Sequence, residues 1–164
     1  MPPQNQPVGS TDQQLSIIDT LIAQPFPEGK GHTRSENGWG GPGFHIAILR
    51  ETQDFWEDRS PEVVEPAEQE LEVDLTSLTG ILTERWGDPA TVDLGRYLGL
   101  DDPDYPNTEP APEPLLSLCG YAANLLVWRI PSTGRWLGLT IGQGDPELPI
   151  QLFAAVGQES SFPR

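Results

Sequence analysis

Proton transfer, metal ligation and nucleophilic attack draw mainly on histidine, cysteine and acidic side chains. This chain has two histidines, His32 and His45, and one cysteine, Cys119. His32 lies among glycines, and His45 lies in the apolar run Phe44-His45-Ile46-Ala47-Ile48-Leu49. No paired spacing such as i, i+4 places two of these groups on one metal ion. His45 therefore reads as a hydrogen-bonded residue of a sheet. Cys119 has no sequence context for a nucleophile, there is no G-x-S-x-G elbow, and a lone cysteine beside a strand reads as buried filler. No catalytic, metal or cofactor residue is assigned.

Two other segments approach known binding loops and depart from them. Gly38, Gly40 and Gly43 have the spacing of a dinucleotide fingerprint. That loop must follow a strand and open a helix, so that amides point at a pyrophosphate. Here Pro42 interrupts it and an apolar strand follows, so the stretch reads as a turned connection. Gly29-Lys30-Gly31-His32-Thr33 lacks the earlier glycine of a phosphate loop. Asp102, Asp104 and Glu113 match positions one, three and twelve of a calcium loop. Positions five and six are Pro106 and Asn107, where the loop needs a ligand and a sharp glycine turn. A solvated acidic loop is the reading.

The elements around these residues come from periodicity. Leu15, Ile18, Leu21 and Ile22 mark a helix over 11–24, with Ser10 or Thr11 as its cap and Pro25 and Pro27 beyond it. Residues 25–43, rich in Gly and Pro, read as a loop. Residues 44–49, apolar on both faces, read as a buried strand. Val64, Ala67, Leu71, Leu75, Leu78 and Leu82 step by three and four and form the face of a long helix. Ser60-Pro61 opens it, and Pro66 means either a later start or a kink. Residues 88–98 hold a short strand or a helical turn. Residues 99–114 form an acidic, proline-punctuated loop. Three strands follow, at 123–130, 135–141 and 150–156, joined by turns.

The expected fold is α+β: an antiparallel sheet of four to five strands, ending in a three-stranded meander, packed by one long and one shorter helix. Its expected limits are 10–157, between a loose tail at 1–9 and another at 158–164. No internal repeat is present. Of the tryptophans, Trp128 and Trp136 lie on adjoining strands, Trp39 and Trp56 lie in weakly patterned segments, and burial is expected for all.

Charge bounds the partners. Net charge is −16, from 25 acids and 9 bases in 164 residues. Such a balance opposes nucleic-acid backbones and anionic membranes, and admits a basic protein. One cysteine excludes an intramolecular disulfide, no run is long enough to span a bilayer, and no signal-like start is seen. The cytoplasm is the expected location.

The acids are concentrated. Residues 51–74 hold ten acids and one base, and residues 101–113 hold five acids and no base. Glu62, Glu65, Glu68, Glu72, Asp101, Asp102 and Asp104 are the candidate partner-binding residues. The plainer reading is a solvated helix face whose acids suit the helix dipole. Three functions are compatible with the sequence. The first is an inhibitor or immunity-like binding module for a basic protein. The second is an enzyme or small-ligand domain with a scattered site near His45 and the Gly-rich loop. The third is a homo-oligomeric accessory protein pairing through strand edges.

Overall fold

The computed structural model describes residues 11–28, 33–35, 38–95 and 113–162. In chain order the elements are helix α1 (Thr11–Ala23), strands β1 (Thr33–Ser35), β2 (Gly38–Gly41) and β3 (Phe44–Glu51), and helix α2 (Pro61–Trp86). Strand β4 (Ala90–Asp93), the short helix α3 (Leu115–Leu118), and strands β5 (Asn124–Ile130), β6 (Arg135–Gly142) and β7 (Gln151–Gln158) follow. A turn of 3-10 helix at Glu159–Ser161 comes after β7. The fold is α+β, and the strands form one antiparallel sheet in the order β1-β2-β3-β7-β6-β5-β4.

Strands β5, β6 and β7 are the expected meander. The sheet is wider than four to five strands because the segment read as a loop, 25–43, contributes β1 and β2. Their glycines carry no hydrophobic pattern, yet they suit the sheet. A Cβ on Gly38 would fall on the Ile46 carbonyl, and one on Gly40 would sit 2.9 Å from Nδ1 of His45. The backbone of β2 therefore approaches β3 more closely than side chains allow. The undecided stretch 88–98 includes a strand, β4, paired to β5.

Both faces of the sheet are buried. On one, α1 and α2 pack Ile18, Ala67, Leu71, Leu78 and Leu82 against Leu49, Trp128, Leu137, Leu139, Leu152 and Val156. On the other, Leu115, Leu118 and Cys119 cover Phe44, Ile46, Leu125, Val127, Trp136 and Phe153. That second layer explains why 44–49 is apolar on both sides.

Helix α2 begins at Pro61 and runs through Pro66 without ending. Pro66 is exposed, in the second turn, where loss of its N–H frees only the carbonyl of Glu62. Ser60 is the N-cap residue, but its side chain makes no capping bond; the Asp58 carboxylate accepts the Ser60 N–H at 2.9 Å instead. That bond holds the Asp58 carboxyl below its ordinary pKa.

Candidate functional site: the acidic face of helix α2

Glu62, Glu65, Glu68 and Glu72 step by three, three and four, which holds them within an arc of about 120° on the helix. The buried side of α2 carries Ala67, Leu71, Leu78 and Leu82, so the glutamates fall on its outer side, and all four are exposed. Among the described residues none of them has an ion-pair partner. They are strung along the helix, and no three His, Cys, Asp or Glu side chains of the described residues gather as a metal would require. The face is a line of charge rather than a cation cage.

Other acids of the same block have inward tasks. A β-bulge between Ile48 and Arg50 makes Arg50 the partner of Leu152 and turns it toward the helices. There its guanidinium donates to Asp74 Oδ2 at 2.9 Å and to Glu70 Oε1 at 2.7 Å. Gln14 Nε2 of α1 donates to the same Asp74 oxygen at 3.0 Å. One arginine thus ties β3 to α2 and relieves the like-charge pair Glu70–Asp74. The pair Glu68–Glu72 has no such cation and keeps a repulsion of a few tenths of a kcal/mol, on the order of 0.3. Glu51 accepts from Gln151 at 2.9 Å across the β3–β7 pair.

The loop before α2 carries the largest exposed apolar group. Phe55 is buried in the helix-side core, and its N–H donates to the Glu147 carbonyl at 2.8 Å. Thr52 exchanges bonds with Ile150 through both its N–H and its hydroxyl, each 2.9 Å, and Arg59 bonds Glu147 at 2.7 Å. The loop is pinned, and it holds Trp56 outward at 64% exposure. This overturns the expected burial of Trp56. Trp39 and Trp86 are half-buried, while Trp128 and Trp136 lie in the core.

His45 is buried. Its Nε2 faces the carbonyls of Gln24 at 3.3 Å and Pro25 at 3.1 Å, and its ring lies tilted against Phe26, 5.1 Å between centroids. Arg135 donates to the carbonyls of Leu21, Ile22 and Gln24 at 2.7–3.1 Å and lies over Phe26. Helix α1 has no basic residue in its last turn, so these two side chains from β3 and β6 satisfy its free carbonyls. Burial lowers the pKa of His45, with nearby Arg135 acting in the same direction. Cys119 is buried against the second face, donates to the Leu116 carbonyl at 3.3 Å, and has its pKa raised by burial.

Of the sequence-assigned residues, Glu62, Glu65, Glu68 and Glu72 stand together on α2. Asp101, Asp102 and Asp104, like His32 and Lys30, lie outside the described residues. Glu113 accepts from the N–H and hydroxyl of Ser117 at the start of α3. The exposure of Trp56, in the loop that leads into α2, was not legible, because in the pair Phe55-Trp56 no periodicity says which ring turns inward. No described helix is long and apolar enough to cross a membrane. Compared with protein-family models, with curated proteins and with solved structures, the chain matches none.

Proposed function

We propose that this chain is a protein-binding module, of inhibitor or immunity type, that receives a basic protein on the exposed face of α2. The observation that carries this reading is the set Glu62, Glu65, Glu68 and Glu72, exposed and, among the described residues, without an ion-pair partner. Arg50, Arg59, Arg85, Arg129 and Arg135 are each bonded to other groups within the chain, and among the described residues no ion pair reaches these four glutamates. A line of carboxylates steers a cationic partner at long range and lines up with a positive cleft. Trp56, held outward by its loop, supplies the rigid aromatic anchor that charge alone lacks. Asp101, Asp102 and Asp104 join this proposal on their charge. A net charge of −16 disfavours nucleic acid and anionic lipid on the same face.

Immobilised protein exposed to native lysate and eluted with a salt gradient tests the reading. A stoichiometric basic protein released at moderate salt is the expected result. Retention of no protein at any salt would end it.

A further inference from the structure

The helix layer does not reach the β4 edge of the sheet. On that side Thr91, Asp93, Ala123 and Asn124 are exposed, and between them and α2 lies a groove of about 370 Å³. Its floor is aliphatic: Leu139 is buried, whereas Leu75, Leu126 and Ile141 are only half-covered. Its rim is polar, formed by Glu72 and Thr76 of α2 and by Asn124 of β5. Asp93 pairs directly with Asn124, so a second carboxylate stands beside this rim. Among the described residues no cationic side chain lines the groove.

We infer that this groove seats an aliphatic side chain of the basic partner, flanked in the partner's sequence by arginine or lysine. The inference rests on the binding function proposed above and specifies the segment recognised. Charge complementarity selects the occupant. Glu72 ends the exposed acidic line of α2, so a segment lying along that line reaches the groove with its cations already paired. A purely cationic segment would leave the half-covered leucines in water, and an acidic or anionic ligand would meet Glu72 and Asp93. A second copy of this chain would bring another charge of −16 to the same place. An apolar seat inside a charged rim is the usual arrangement of a recognition site.

Two labelled synthetic peptides test this by fluorescence anisotropy. One has leucines spaced among arginines, and the other has serine in place of each leucine. The wild type is expected to bind the leucine peptide about tenfold more tightly, equivalent to about 1.4 kcal/mol. Thr76→Trp and Ala123→Trp each fill the groove from an exposed position, so both should keep the fold, which circular dichroism checks. Either should reduce the leucine peptide to the affinity of the serine peptide. Equal affinity of the two peptides for the wild type, or a leucine advantage that survives both substitutions, would overturn the groove while leaving the acidic-face reading intact. Failure of both peptides to bind would remove both. Light scattering that shows a dimer broken by Thr76→Trp would assign the groove to a second copy and overturn the inference.

Discussion

Arg50 shows how a single residue divides the acidic block into structural and free charge. Its bonds to Asp74 and Glu70 are short, and Asp74 is only 13% exposed. Arg50→Met should cost about 1–3 kcal/mol, because a mostly buried carboxylate loses its cation. Urea midpoints read this, and adding Asp74→Asn should recover part of the loss. His45 gives a pH-dependent counterpart. Its folded pKa lies below the ordinary 6.5, so its contribution is complete above about pH 6.5 and is lost as pH falls toward the folded value. The wild type should lose more stability than His45→Gln between pH 7.5 and pH 5.5 in matched denaturant titrations. Trp56→Ala should leave stability within about 0.5 kcal/mol, since the ring is outside the core, yet weaken partner binding by about 2 kcal/mol. Calorimetry of both properties checks it. The sequence makes His45 legible as a sheet residue, because its neighbours are apolar on both sides. It leaves Trp56 and Arg50 illegible: a loop contact decides one, and a bulge reverses the side on which the other emerges.

Helices α1 and α2 are readable from spacing alone, since their apolar steps of three and four match the faces that meet the sheet. Strands β5, β6 and β7 are readable from their alternation and the turns between them. Strands β1 and β2 are not, because glycine carries no face preference and the reason for it is the close approach of β3, set by tertiary packing. The face assignment of α2 has a direct consequence. Leu78→Ala should cost about 2–5 kcal/mol, whereas Val73→Ala, at a position 65% exposed, should cost less than about 0.5 kcal/mol. Chemical denaturation of the two variants distinguishes them, and similar losses would mean that the helix is rotated from the orientation described.

At the scale of the whole molecule, sheet order was out of reach of local pattern. The central pairing joins β3 to β7, about a hundred residues apart, and only the shared apolar faces of both strands permit it. Charge, by contrast, was legible at once, because a long amphipathic helix has to place its glutamates opposite its leucines. The sequence could not separate Glu70 and Asp74, which Arg50 binds, from Glu62, Glu65, Glu68 and Glu72, which have no ion-pair partner among the described residues. That separation turns a general acidity into a face with direction. The measurement that tests it most directly sets wild type beside the triple variant Glu62→Lys, Glu65→Lys, Glu68→Lys, both immobilised in the same native lysate. All three positions are exposed, so the variant should fold with a stability close to the wild type. The basic partner should be retained by the wild type and lost from the variant; the same partner held equally by both would contradict the assignment of the α2 face.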